Sequence, residues 1–131
     1  MKILFYGTKN YDEQFFDKLL PDYPGIKIKF IEANIHEETA SLAKGYDAIC
    51  AFVNADLGAT VIEELHQQGV KLILMRCAGY NNVDLKTALK YGIRVLRVPG
   101  YSPEAVAEHA MALALTANRH THKAYIKCRE N

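Results

Sequence analysis

The sequence has no glycine-rich phosphate-binding motif. Its eight glycines are spread over 131 residues, and the two nearest, Gly92 and Gly100, are eight positions apart. Neither GxGxxG nor GxxxxGK[ST] occurs, so the usual cradle of backbone amides for a phosphate group is missing. We therefore expect that this chain by itself does not bind a dinucleotide tightly.

The sequence also lacks a dominant charge and a metal-ligand spacing. It has 16 basic and 15 acidic residues, a formal net charge of +1, so we expect neither nucleic acid nor a membrane as a partner. The basic stretch from Arg119 to Lys127 is interpreted as a solvated helix end, where cations are favourable; a binding patch is the alternative. The five histidines form no HExxH or similar set, and no metal site is predicted.

The cysteines form no CxxC pair. Cys50 and Cys77 lie in apolar runs, where a thiol behaves as a small buried hydrophobe, and Cys128 lies near the last residue. Cysteines of this kind, without a CxxC pair and mostly in apolar runs, are typical of proteins in a reducing compartment. Because the sequence shows no signal peptide and no membrane-spanning segment, we expect a cytoplasmic protein.

Short apolar runs alternate with amphipathic stretches along the chain. The runs predict strands, and the stretches carry apolar residues at helical spacing. The predicted strands are residues 3–6, 26–31, 48–53, 70–75 and 93–98, and the predicted helices are residues 12–20, 37–43, 59–68 and 84–91. Apolar strands separated by helices form parallel sheets covered on both faces. The prediction is an α/β fold, a flavodoxin-like open parallel sheet of about five strands.

A long helix is predicted after the fifth strand. The Ser-Pro-Glu run at residues 102–104 combines a capping serine, a proline suited to the first helical position and an acid in the first turn. Apolar residues recur from there as far as Cys128. The chain is therefore divided into a flavodoxin-like domain, residues 1–101, and a long helix, residues 102–131.

The loops after the predicted strands are the candidate binding region, because open parallel sheets bind ligands outside the carboxyl ends of their strands. In the loop after the fourth strand, Gly79 lets a ligand approach the backbone, and free amides there could hold a carboxylate. A tight turn without a ligand is the alternative. In the next loop, Tyr101 could donate a hydrogen bond to a substrate oxygen or could pack over the following helix.

Two blocks of this sequence resemble those of the NAD-dependent D-2-hydroxyacid dehydrogenases. Residues 75–85, MRCAGYNNVDL, resemble that family's RxxGxxNVD block, and residues 98–109, VPGYSPEAVAEH, resemble its VPxYSPxAVAEH block. The residues of the two blocks are most similar to those of the fermentative bacterial D-lactate dehydrogenases, and so is the segment CAFVNAD at residues 50–56. The resemblance extends over the whole chain.

The resemblance implies one part of a two-domain enzyme. In the family, the substrate domain continues through a long interdomain helix into a Rossmann domain that binds NAD. The family's arginine, glutamate and acid/base histidine belong to that further part. We therefore expect no catalytic residue in this chain, no tight NAD binding and no turnover by the 131 residues alone.

The resemblance implies that four residues of this chain form a substrate site. By resemblance, the amides of Ala78 and Gly79 would hold the substrate carboxylate, and Tyr101 would lie against the substrate. Phe52 would form a wall of the pocket, where related enzymes often have a tyrosine hydroxyl. The implied reaction is the reversible reduction of a 2-oxo acid such as pyruvate by NADH, which gives the D-2-hydroxy acid.

Other interpretations stay open. The chain could be a free-standing module that binds a small carboxylate or regulates an intact dehydrogenase. Within the family, it could belong to a glyoxylate, hydroxypyruvate or phosphoglycerate-type reductase. Without its partner domain, the helix at residues 102–131 would expose Leu113 and Ala117, so we expect a homo-oligomer.

Overall fold

The computed structural model describes residues 1–130, which form an α/β fold. Its strands are β1 (Lys2–Phe5), β2 (Lys27–Phe30), β3 (Ala48–Ala51), β4 (Leu72–Met75) and β5 (Arg94–Arg97). Its α-helices are α1 (Asn10–Leu19), α2 (Ala59–Gln67), α3 (Leu85–Lys90), α4 (Pro103–Arg119) and α5 (Thr121–Glu130). Short 3-10 helices occur at Leu20–Asp22 and Ala40–Ala43.

The five strands form one parallel sheet in the order β2-β1-β3-β4-β5. This is the strand order of flavodoxin-like folds, so the predicted fold class is confirmed. In the register, Ala51 lies beside Met75, and Met75 lies beside Arg97. The carboxyl ends of β3, β4 and β5 therefore meet at one edge of the sheet.

Apolar side chains cover both faces of the sheet. The larger cluster includes Ile49 and Ile73 from the sheet and Ile62 and Leu65 from α2, all without exposed area. The smaller cluster lies on the opposite face, where Phe5 contacts Phe16 of α1 in an edge-to-face arrangement, with a centroid distance of 5.4 Å. β3 is buried on both faces, which explains its continuous apolar run.

The smaller cluster is less completely covered than the larger one. None of the residues of α1 is fully buried, and Phe15 is 65% exposed. A groove of about 250 Å³ lies on this side of the sheet, lined by residues such as Ile3, Phe16, Leu74 and Leu96. The helical spacing of apolar residues in α1 therefore predicts the helix correctly, although only part of its apolar face is buried.

The helix predicted at residues 37–43 is wrong, since only the 3-10 helix Ala40–Ala43 forms there. The cause is Thr39, whose hydroxyl donates to the Asn34 carbonyl at 2.8 Å and accepts from the His36 amide at 3.0 Å. Side-chain hydrogen bonds of this kind compete with helical ones.

The long helix predicted after Ser102 is present as α4, but it ends at Arg119 instead of continuing through Cys128. His120 has a φ of 52°, in the left-handed region, and this conformation ends the helix. The amides of Lys123 and Ala124 then bond to the His120 carbonyl and begin α5. The prediction of a single helix for residues 102–131 is corrected in this respect.

The chain folds as two compact units. The first is Met1–Pro99, which contains the sheet with α1, α2 and α3, and the second begins at Gly100 and contains α4 and α5. Cys50 and Cys77 are buried, as predicted, whereas Cys128 is exposed. In residues 1–130, no helix is both long enough and apolar enough to cross a membrane.

Candidate functional site

The loop after β4 is tied to the end of β5 through two carbonyl groups. The Cys77 carbonyl accepts a hydrogen bond from the Val98 amide at 3.2 Å. The Ala78 carbonyl accepts one from Nη1 of Arg97 at 2.8 Å. Within the loop, the Cys77 thiol donates to the Gly79 carbonyl at 3.3 Å. The backbone of this loop is therefore held in one conformation.

Two adjacent amides in this loop are not used by the fold. Within residues 1–130, no protein atom accepts a hydrogen bond from the amide of Ala78 or of Gly79. Ala78 is half-buried and Gly79 is exposed. A Cβ added at Gly79 would meet no described atom within 4 Å, so there is room beside the loop. Consecutive free amides of this kind can bind an anion such as a carboxylate.

The residues after this loop connect it to β3. The Asn82 amide group donates to the Ala55 carbonyl at 2.9 Å and to the Phe52 carbonyl at 3.4 Å. Leu57 and Val83 form an isolated parallel bridge beside these contacts. The loop that carries Phe52 and the loop that carries the free amides are therefore joined. The Asn-Val part of the quoted sequence block has a structural role.

Asp84 of the same block caps α3. One carboxylate oxygen accepts from the amides of Lys86 and Thr87, each at 3.0 Å, and the other accepts from the Thr87 hydroxyl. The hydrogen bonds from Thr87 lower the pKa of the Asp84 carboxyl below its usual value. Asp84 therefore determines where the helix after the amide loop begins.

Arg76 is a residue that the sequence reasoning missed. Its Nη2 donates to the Gly7 carbonyl at 2.8 Å and to the Tyr6 carbonyl at 3.3 Å, and its Nη1 lies 3.4 Å from the Asp12 carboxylate. Its Cζ lies 4.8 Å from the centroid of the Phe52 ring. The Arg76 side chain is 21% exposed.

The position of Arg76 explains how three strand ends are joined. One guanidinium group contacts the loop after β1, the first turn of α1 and the ring that follows β3. Aromatic faces and carbonyl oxygens both attract a cation. Two signals were available in the sequence: Arg76 directly follows the apolar strand β4, and it is the first residue of the quoted RxxGxxNVD block. Phe52 is half-buried and has a cation beside its ring.

Tyr101 belongs to the second unit, whereas Phe52, Ala78 and Gly79 belong to the first. Its side chain is 65% exposed. The role of Tyr101 against a substrate stays a prediction. Ser102 occupies the N-cap of α4, but its side chain makes no capping hydrogen bond, and in this detail the sequence prediction is wrong.

The remaining reactive groups do not form a second site in the first unit. Burial raises the pKa of Cys50 to about 11 and also raises that of Cys77, so both thiols are poor nucleophiles. In the part of the chain that the structure describes, no group of three or more His, Cys, Asp or Glu residues could hold a metal ion.

The fold and the loop together define a class, a flavodoxin-like α/β domain with open backbone amides at the carboxyl ends of its strands. Residues 3–130 match the family described as D-isomer specific 2-hydroxyacid dehydrogenase, catalytic domain. The chain belongs to this family, which confirms the resemblance seen in the two sequence blocks.

Individual relatives agree with this assignment. The D-lactate dehydrogenase of Escherichia coli K12 is 45% identical over 130 residues, which are 99% of this chain and 39% of the relative. The solved pyruvate reductase of Chlamydomonas reinhardtii is 43% identical, with a TM-score of 0.81 over 100% of this chain and 38% of its own. The D-lactate dehydrogenase of Lactobacillus jensenii, solved with NAD+, is 26% identical, with a TM-score of 0.71. The match covers 99% of this chain and 39% of that protein's chain. The chain thus spans about two fifths of these relatives.

Proposed function

We propose that this chain is the substrate-binding part of an NAD-dependent D-2-hydroxyacid dehydrogenase that interconverts pyruvate and D-lactate. The observation that carries the proposal is the pair of free amides at Ala78 and Gly79, at the strand edge where ligands of this fold class bind. Family membership and the relatives that are named as D-lactate dehydrogenases support it.

In this proposal the residues of the chain bind and orient the substrate. The amides of Ala78 and Gly79 hold the carboxylate, and Phe52 forms an apolar wall whose ring Arg76 keeps in place. For Tyr101, the family resemblance supports a contact with the substrate. A substrate held in one orientation reacts faster because the entropy of alignment has already been lost.

The cofactor NAD does not fit the described residues, which offer no glycine-rich turn for a pyrophosphate. We place it on further residues of a longer protein, where bound NADH supplies the hydride, and we place the acid/base and carbonyl-polarising groups there too. Residues 1–101 are then the substrate domain, and residues 102–131 lead out of it. We further propose that the protein is cytoplasmic.

The test begins by reading the encoding gene beyond codon 131 and expressing the whole reading frame. NADH oxidation is then measured with pyruvate, glyoxylate and hydroxypyruvate, and the configuration of the product is determined. We expect the highest kcat/KM with pyruvate and a D-product. A higher value with glyoxylate or hydroxypyruvate would replace the lactate assignment, and no oxidation with any of the three would contradict the proposal.

A carboxylate-binding module is a second candidate. It is favoured by one observation: both free amides lie in the first unit, so their orientation does not depend on any residue beyond Pro99. A reading frame that stops at codon 131 would favour the module. Calorimetry with pyruvate on the 131-residue chain would then decide, because absence of binding heat would remove this candidate.

The predicted homo-oligomer is kept as a proposal. The exposed apolar side chains of α4 support it, among them Met111, Leu113 and Leu115, each more than half exposed. Light scattering after size exclusion measures the mass directly. A mass of one chain at high protein concentration would contradict the proposal.

A further inference from the structure

The two free amides belong to peptide groups whose carbonyls are held by β5. The Ala78 N–H shares its peptide plane with the Cys77 carbonyl, which accepts from the Val98 amide. The Gly79 N–H shares its plane with the Ala78 carbonyl, which accepts from Arg97. One anchor is therefore backbone, and the other is a side chain.

Peptide geometry converts these anchors into donor directions. In a trans peptide the C=O and the N–H point in opposite directions, and residues 1–130 contain no cis peptide bond. A carbonyl held toward β5 therefore aims the N–H of the same peptide away from β5. In this way Arg97 determines the direction of the Gly79 amide without itself having to touch a ligand.

The surroundings of Arg97 strengthen this role. Its Cζ lies 5.0 Å from the centroid of the Tyr80 ring, a contact that limits the rotamers of the guanidinium. Among the described residues, the one ion pair is that of Arg76 with Asp12, so no carboxylate neutralises Arg97. A charged donor on a carbonyl also polarises the peptide, which makes its N–H a stronger donor.

We propose that Arg97 is a positioning residue that directs the Gly79 amide at the substrate carboxylate. The proposal rests on the function proposed above, because it takes that carboxylate as the ligand. Its basis is the 2.8 Å hydrogen bond to the Ala78 carbonyl, together with the Tyr80 contact. Arg97 is exposed, so substituting it does not disturb the core.

The first measurement needs no ligand. Residual dipolar couplings of the ¹⁵N-labelled 131-residue chain report the direction of each N–H bond. In Arg97→Gln we expect the Gly79 coupling to change while the Ala78 coupling stays, because the Ala78 amide is oriented by a backbone anchor. Arg94→Gln is the matched control, since it removes the same charge from the same strand, and no hydrogen bond or ion pair of its side chain is present among residues 1–130.

The second measurement uses pyruvate as the probe, titrated into the same samples while the dissociation constant is determined. We expect Arg97→Gln to weaken pyruvate binding by roughly threefold to tenfold, and Arg94→Gln to change it by less than about twofold. Arg97→Lys retains a charged donor, and we expect it to recover part of the affinity and of the Gly79 coupling.

The outcomes separate the two proposals. Equal Gly79 couplings and equal pyruvate affinities in Arg97→Gln and Arg94→Gln would overturn the positioning role. A wild-type 131-residue chain that does not bind pyruvate would remove the carboxylate-binding module and would contradict a carboxylate site formed by these residues alone, while the couplings would still decide whether Arg97 orients the Gly79 peptide. A changed coupling with an unchanged affinity would also refute the role, because the amide direction would then not matter to the ligand.

Discussion

Replacing Arg76 by methionine tests whether one guanidinium group joins the strand-end loops. Methionine keeps an unbranched side chain of similar reach and removes the charge and the donors. The lost contacts include the 2.8 Å hydrogen bond to the Gly7 carbonyl, the ion pair with Asp12 and the cation–π contact with Phe52. Because Asp12 is only 11% exposed, its carboxylate loses a partner that water replaces poorly.

The magnitude follows from these contacts. A charge-assisted hydrogen bond contributes about 1.5–3 kcal/mol, and a cation over an exposed ring about 0.5–1 kcal/mol. Part of this is regained by apolar contacts of the methionine. We expect the free energy of unfolding to fall by about 2–4 kcal/mol, which lowers a urea midpoint by about 1–2 M for a chain of this size.

The assay is urea unfolding of the 131-residue chain, followed by far-ultraviolet circular dichroism. Arg94→Met is the control, because it removes an exposed arginine from β5. Adding Asp12→Asn to Arg76→Met should recover about 1–2 kcal/mol through the coupling of the pair. If Arg76→Met and Arg94→Met unfold at the same urea concentration, the guanidinium does not stabilise the loops, and the reasoning is refuted.

The other predictions concern single groups of the first unit and one exposed thiol. Gly79→Ala should keep the stability of the chain, since the methyl group meets no described atom within 4 Å. It keeps the N–H donor but should weaken pyruvate binding about tenfold in calorimetry, because the methyl group takes up space beside the amide that the proposed carboxylate needs. Gly25→Ala, which also has open space, is the control, and equal affinities would contradict the site. One thiol per chain, Cys128, should react quickly with Ellman's reagent at neutral pH, because the buried Cys50 has a pKa of about 11; two fast equivalents would disprove this. The pKa of Asp84 is lowered in the folded state from 3.8, so its stabilising effect is complete above that value and is lost as the pH falls through the lowered folded pKa. Asp84→Asn should therefore unfold with a flatter pH dependence from about pH 5 to about pH 2, and an unchanged slope would contradict the assignment.

The strands could be predicted because each is short, contains apolar residues and is followed by loop residues. β3 is buried on both faces, and β4 is buried on one face and partly buried on the other, so their sequences carry continuous apolar runs. The order of elements then leaves few sheet topologies. The break at His120 could not be predicted in this way, because neither glycine nor proline occurs there. The short 3-10 helix after Thr39 depends on side-chain hydrogen bonds that hydrophobic periodicity does not reveal.

The same distinction applies to the candidate site. Gly79 could be named because it follows a strand at the edge where ligands of this fold bind, and Phe52 could be named because the chain resembles a known family. Arg76 and Arg97 could not, because their roles depend on the register of neighbouring strands and on side-chain rotamers. Arg76 is the first residue of the quoted RxxGxxNVD block, but the block does not say what its side chain contacts. Arg97 is an ordinary cation next to an apolar run. The distances to the Gly7 and Ala78 carbonyls reveal the two roles.

The proposed carboxylate donors in the loop after β4 are main-chain groups, and every amino acid except proline supplies the same N–H. Exchange of the half-buried Ala78 for another small residue would therefore leave the donor pattern intact. The proposed wall at Phe52 differs in this respect, because its shape depends on which side chain occupies the position. In the proposed site, substitutions at the wall would change which 2-oxo acid is accepted, while the main-chain donors for the carboxylate would be retained.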